Sequence, residues 1–179
     1  MELVLVINIL ICLVGSGLIL YFSRRSIIDP KSHGFYRFFA WELILIMFSI
    51  NWKGWFKDPF NWHQLVSWLF LGLSLFYIFS GVFLLKKIGK PTDSLEATTH
   101  LVRTGIYRYI RHPLYASLLY LAWGIFFKSP SLLDLCLVLP SSIFLFLTAL
   151  ADERECLIKF GNEYLTYMLE TKRFIPGLF

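Results

Sequence analysis

Apolar residues fall along the chain in five runs, parted by short polar stretches. A helix needs about 20 apolar residues to cross the hydrocarbon core of a bilayer. Residues 3–22, 65–85 and 132–150 meet that length, while 35–52 and 114–127 are shorter. Together they predict an all-α, integral-membrane bundle of five transmembrane helices. Pro140 falls inside the last run and should kink it. The turn "KSPS" at 128–131 makes the fourth and fifth spans an antiparallel hairpin. After Ala151 the chain turns polar, and "DERECLIKFGNEYLTYMLE" reads as an amphipathic helix lying at the interface. No repeat or low-complexity tract interrupts the pattern, so one domain is expected over 1–179.

Composition supports the bilayer as solvent. The chain is 57% hydrophobic and 16% charged, where soluble domains carry about a quarter charged residues. The net charge of +5 does not imply a nucleic-acid partner, because the basic residues sit in short loops between apolar runs. With five spans, Lys53, Lys57 and Lys128 fall on one side, and the other fourteen of 17 lysines and arginines on the opposite side. Basic loops stay in the cytoplasm, which places the 86–113 connection and the C-terminal tail there together. Trp52, Trp55 and Trp62 crowd the opposite loop as an interfacial belt. The first run lacks a basic leader and is too long for a signal peptide's core, so it reads as a retained span. Cys12, Cys136 and Cys156 make no paired framework, and the first two read as packing thiols.

Candidate chemistry gathers where two polar stretches should meet at the cytoplasmic face. One is "THLVRTGIYRYIRHPLY", ending at Tyr115; the other begins "ADERECLIKFGNEY". Pro113 suits the first position of a helix, which makes His112 the cap residue. The open N–H groups of that helix end, with Arg111 beside them, would attract an anion such as a carboxylate. Asp152 and Glu153 would attract a cation. A small zwitterion would satisfy both, with Tyr107, Tyr109 and Tyr115 as stacking surface. Each feature also has a plainer role: arginines as headgroup anchors, His112 as a cap alone, and the acidic pair as a solvated helix start. Glu42 reads as a polar contact within the bundle, and "GSG" at 15–17 as a packing notch. No metal site is expected.

The two stretches in this order resemble the isoprenylcysteine carboxyl methyltransferase family. More broadly, they are similar to the integral-membrane methyltransferases that include phospholipid N-methyltransferases. The shared elements are Gly105, Tyr107, Arg111, His112, Pro113 and Tyr115; then Asp152 and Glu153; then Phe160, Gly161, Tyr164 and Tyr167; then Arg173 and Pro176. The likeness covers roughly residues 99–177. The "RHPLY" element alone is also similar to a stretch of membrane sterol reductases. The resemblance implies S-adenosylmethionine as methyl donor and S-adenosylhomocysteine as product. It implies donor contacts at His100, Leu101, Val102, Tyr107, His112, Pro113, Leu114, Tyr115 and the acidic pair, with His112, Asp152 and Glu153 as the catalytic candidates. The acceptor it implies is lipophilic, reaching the site sideways from the lipid near the fourth and fifth spans.

Two positions depart from the family pattern. The acidic pair is usually Glu-Glu, and here its first member is Asp152. An arginine that would hold a prenylcysteine carboxylate, four residues before the pair, is replaced by Thr148. Two other readings stay open: a membrane reductase using the "RHPLY" region for a nicotinamide cofactor, and a structural protein retaining an inactive methyltransferase shell. The acceptor and the oligomeric state are not legible in the sequence.

Overall fold

A computed structural model describes residues 2–92 and 98–178. Among these residues it is all helical. The helices are α1 (Glu2–Ser23), α2 (His33–Asn51), α3 (Trp62–Leu84), α4 (Pro113–Phe126), α5 (Leu132–Phe160) and α6 (Asn162–Glu170). A π-turn, Leu85–Gly89, prolongs α3, and a 3-10 turn, Gly105–Arg108, precedes α4.

Local chemistry sets the ends. Ser32 accepts a hydrogen bond from the Phe35 N–H and starts α2; Ser131 does the same for Asp134 and starts α5. Such caps satisfy donors that the first helical turn leaves open. Pro113 occupies the first turn of α4 with His112 as its cap residue, as expected, although the imidazole makes no capping bond.

Helix α4 lies at the centre, against α3, α5 and α2; α2 also packs on α5 and carries α1 on its outer side. Burial follows this order. Ala116, Ala122 and Ile125 of α4 are sealed in the interior, while Leu13, Val14 and Leu18 of α1 face outward. The notch at Gly15 is real: a side chain there would meet Leu45 of α2 at 2.6 Å, whereas Gly17 meets nothing. Glu42 is the expected bundle contact, accepting a 2.6 Å hydrogen bond from the Ser16 hydroxyl.

Among the described residues, three stretches are long and apolar enough to cross a membrane: 4–23, 62–89 and 132–160. With them the protein is an integral membrane protein. The other two expected spans differ. Helix α4 has 14 residues, or about 21 Å at 1.5 Å per residue, less than the roughly 30 Å hydrocarbon core. Helix α2 carries Arg37 and Glu42 within its 19 residues and falls outside the apolar set.

Residues 152–160 also correct the expected pattern. They do not begin a separate interfacial helix. They continue α5 without a break, so Asp152 and Glu153 ride on a rigid extension of the bundle. The break comes at Gly161, with φ 57° and ψ −131°, a conformation open to glycine and costly for other residues. The helix also runs through Pro140 unbroken. Cys136 is exposed on α5 rather than packed; Cys12 is half-buried and donates to the Ser49 hydroxyl.

The end of the bundle away from the acidic pair is fastened by an inward-turned charge. Lys128 is 1% exposed and lies 3.4 Å from the centre of the Trp68 ring. Its ammonium donates to Gln64 Oε1 at 3.0 Å, while the Gln64 amide donates to the Lys128 carbonyl at 2.9 Å.

Candidate active site

At the other end, residues from α4, α5 and the tail converge on Glu153. Its carboxylate is 4% exposed. Glu153 Oε1 accepts from Arg111 Nε at 2.8 Å and Arg173 Nε at 2.9 Å, and Oε2 accepts from Arg173 Nη2 at 3.0 Å. Arg111 also donates to the carbonyls of Thr171 and Met168. The guanidinium expected to await a ligand's carboxylate is therefore already occupied by a carboxylate of the chain.

His112 stands between the two acids. Its Nδ1 lies 3.3 Å from Asp152 Oδ2, and its Nε2 lies 3.4 Å from Glu153 Oε1. Burial disfavours a charge on the ring, but hydrogen bonds and attraction from Asp152 and then Glu153 outweigh it and raise the pKa above the ordinary histidine value. The imidazole also stacks on Tyr115, ring centres 5.4 Å apart and 22° from parallel. Adjacent residues on a helix point about 100° apart, and the acidic pair divides accordingly. Glu153 turns inward to the arginines. Asp152, with its side chain 17% exposed, keeps an open side.

The tail completes this arrangement. Segments 109–112 and 172–173 run parallel: the Lys172 N–H donates to the Tyr109 carbonyl, the Arg111 N–H to the Lys172 carbonyl, and the His112 N–H to the Arg173 carbonyl, at 3.1, 2.9 and 3.2 Å. Phe174 then plugs the core beside Ile110, Tyr115 and Ala149. Arg173 arrives by this route and rests over the Phe146 ring at 5.4 Å. Next to Asp152, Glu155 ties the bundle to α2, accepting from the His33 N–H at 3.0 Å and facing His33 Nδ1 at 2.7 Å; polar atoms of His33, Asp152 and Glu155 lie within 4.8 Å of one another.

Beside Arg111 lies a narrow cavity of about 60 Å³, lined by Leu101, Val102, Tyr107, Cys156, Phe160, Tyr164 and Tyr167 among others. The Tyr167 hydroxyl donates to the Tyr107 carbonyl at 2.6 Å and binds α6 to the 3-10 turn. Burial pushes the phenols of Tyr164 and Tyr167 well above their ordinary range, so both stay neutral.

Of the expected contacts, Leu101, Val102, Tyr107 and Arg111 reach this cavity, and His112, Asp152 and Glu153 form the neighbouring polar cluster. His100 does not join them; it is exposed and paired with Thr99. Pro113, Leu114 and Tyr115 stand behind the cluster, packed toward α3 and the core. Cys156, Phe160, Tyr164, Tyr167 and Arg173 join the cavity or the cluster without being among the expected donor contacts, although all but Cys156 stand among the shared family elements. A helical spacing signal was present for the first two, since 153, 156 and 160 share one face of α5.

A buried cluster of acid, base and guanidinium groups stands at one end of an apolar helical bundle of membrane-crossing length. Residues 62–161, more than half of the chain, match the phospholipid methyltransferase family, and the chain belongs to that family. Its general activity is therefore that of a membrane methyltransferase. No curated protein or solved structure matches the chain.

Proposed function

We propose that the protein is an S-adenosylmethionine-dependent methyltransferase acting on a lipophilic acceptor within the membrane. In this reading the donor site combines the aromatic cavity with the open side of Asp152. The observation that carries it is the His112–Asp152–Glu153 cluster, which binds the cap of α4 to the extension of α5 beside that cavity. Cationic and zwitterionic groups suit Asp152, and flat rings suit Tyr107, Phe160 and Tyr164. The enclosed volume is smaller than the 300 Å³ or more usual for ligand sites, so the donor needs more room than the closed cavity offers. When bound, S-adenosylmethionine supplies an electrophilic methyl group.

The residues of the chain then act mainly by holding positions and excluding water. Glu153 is a positioning residue: its oxygens are saturated by Arg111 and Arg173, so it is a poor proton acceptor. His112, its pKa raised by the two acids, favours the protonated form and keeps Asp152 oriented. Both the cluster and the tail lie in the cytoplasm, on the strength of the lysine and arginine asymmetry. The five-span bundle stands within this proposal, with α2 and the short α4 crossing as parts of the bundle.

Family membership favours this reading over a nicotinamide-dependent reductase. The acceptor differs from that of an isoprenylcysteine carboxyl methyltransferase. Thr148 is sealed inside and bonds to the Phe144 carbonyl, so α5 offers no cation at that position.

Calorimetry tests the donor site. Losing a hydrogen bond to a charged ligand group weakens binding by about 1.5–3 kcal/mol, or roughly ten- to a hundredfold. His112→Ala and Asp152→Ala should each weaken S-adenosylmethionine binding by that much, and substitutions at Arg24 or Lys53 should not. NADPH binding without S-adenosylmethionine binding would establish the reductase. Failure to transfer labelled methyl groups into a membrane lipid extract, despite intact donor binding, would establish an inactive shell.

A further inference from the structure

His33, Asp152 and Glu155 form a second polar cluster, where the start of α2 meets the extension of α5. Each offers one ligand atom, and the three atoms lie within 4.8 Å of one another. Asp152 and Glu155 stand three residues apart on α5, so both project from one face of that helix. His33 is the first residue of α2. Its Nδ1 faces Glu155 Oε2 at 2.7 Å, and its backbone N–H donates to Glu155 Oε1 at 3.0 Å. The side chains of His33, Asp152 and Glu155 are 17%, 17% and 43% exposed, so an ion can reach all three.

Part of this cluster has a plainer role. An acid at the first turn of a helix suits the helix dipole, and Glu155 with His33 needs no further partner for that. Asp152 does not fit such an account. It is aimed at the same point by partners of its own: His112 Nδ1 lies 3.3 Å from its Oδ2, and the Cys156 thiol donates to its Oδ1 at 3.8 Å. Both carboxylates are thus oriented from behind, one by His112 and Cys156 and one by a backbone N–H, as outer partners orient the ligands of a metal. With the imidazole neutral, the trio carries two negative charges, which a divalent cation balances. One imidazole nitrogen beside carboxylate oxygens suits zinc and its neighbours, whereas magnesium and calcium take oxygen ligands. Zinc holds nitrogen and oxygen at about 2.0–2.2 Å, or roughly 3.3 Å from one another in a tetrahedron, so the trio has to close by about 1.5 Å at most. We propose that His33, Asp152 and Glu155 bind a divalent transition-metal ion of the zinc class, with water as the fourth ligand. The ion ties the start of α2 to α5. It also occupies the carboxylate that the donor reading gives to S-adenosylmethionine, so ion and donor exclude one another. That exclusion rests on the donor reading; the site does not. No spacing motif announces the trio, because His33 is 122 residues from Glu155.

The test uses the full-length protein in detergent, stripped with a chelator and titrated calorimetrically with zinc chloride or magnesium chloride alone. One zinc ion per chain should bind, and magnesium should not. His33→Ala keeps the backbone N–H, and Glu155→Gln keeps an oxygen to accept from it, so both should fold. Each should weaken zinc binding at least about tenfold, the loss that removing a mere outer partner of a ligand can cause. His100→Ala, at an exposed histidine outside the trio, should not. No zinc binding, zinc binding undiminished in both variants, or magnesium bound as tightly as zinc would overturn the site. Saturating zinc should weaken S-adenosylmethionine binding by the parent roughly tenfold or more, the effect of losing one hydrogen bond to a charged ligand group. Glu155→Gln should lose most of that zinc effect. Zinc bound at the trio with donor affinity unmoved would overturn the exclusion and show that the donor does not use Asp152. A zinc-free protein that binds no donor would refute the donor reading, and the zinc titration would still decide the site.

Discussion

Removing the Glu153 carboxylate should destabilise the protein more than removing either group it shares with the donor site. Its three charge-assisted hydrogen bonds, two from Arg173 and one from Arg111, are made almost out of water. The Arg111 side chain is only 7% exposed. Breaking a buried ion pair from one side leaves the other charge uncompensated and costs about 3–5 kcal/mol. For 150–250 residues each kcal/mol shifts the melting midpoint by about 2–4 °C, so Glu153→Ala should melt some 6–20 °C lower. Thermal melting in mild detergent, followed by circular dichroism, gives the value. Arg173→Met should cost less, about 1.5–3 kcal/mol, because Arg111 still holds the carboxylate. The double variant Glu153→Met with Arg111→Met should recover part of the loss, since the buried Arg111 charge is then gone and the charge left unpaired, Arg173, is the more exposed of the two. A Glu153→Ala protein that melts like the parent would show that the guanidinium groups find water or lipid phosphate instead, and that Glu153 is no keystone.

The raised pKa of His112 has a direct consequence for pH dependence. A group protonated more readily in the folded state contributes stability that is complete below its unfolded pKa, about 6.5. That stability should fade as pH climbs through the higher folded value, and Asp152→Asn should flatten the dependence; melting curves across neutral to alkaline pH will show whether the slope has this sign. A cysteine placed at Lys90 should react with impermeant reagents only in inverted vesicles, and labelling from outside intact cells would reverse the topology. A minimal prenylcysteine should be a poor acceptor because Thr148 stands where a cation is needed. Methylation as fast as the best phospholipid acceptor would mean that Arg173 swings off Glu153 to bind its carboxylate.

Much of this organisation was legible in the residues. Apolar run lengths located every long helix, because no other backbone satisfies its own hydrogen bonds in lipid. "RHPLY" announced the α4 cap, because proline is suited only to the first turn of a helix. The end of α5 was not legible. A drop in hydropathy at Asp152 looked like a boundary, yet a helix stops where its backbone must, and nothing before Gly161 requires it. Lys128 reads as a loop charge in the sequence because its Trp68 and Gln64 partners lie sixty or more residues away. Arg111 looked free for the same reason: its partners Glu153 and Thr171 come from other elements.

That last misreading says how the site is built. The family match ends at Gly161, yet Glu153 takes two of its three arginine hydrogen bonds from Arg173, beyond that limit. Arg173 is held in turn by backbone bonds to the very segment that carries Arg111 and His112. The ends of α4 and α5 would otherwise bring a carboxylate, an imidazole and one guanidinium together with a single arginine bond on Glu153. The tail fixes them from outside, by adding a second guanidinium to Glu153 and a backbone ladder to His112. Asp152 alone among these charged groups accepts from neither arginine and keeps an exposed side. In the proposed donor site this partly unsatisfied carboxylate is the binding group, on a mount made rigid by the network beside it. If the proposed donor site is right, removal of residues 171–178 should cost donor affinity even though none of them borders the aromatic cavity.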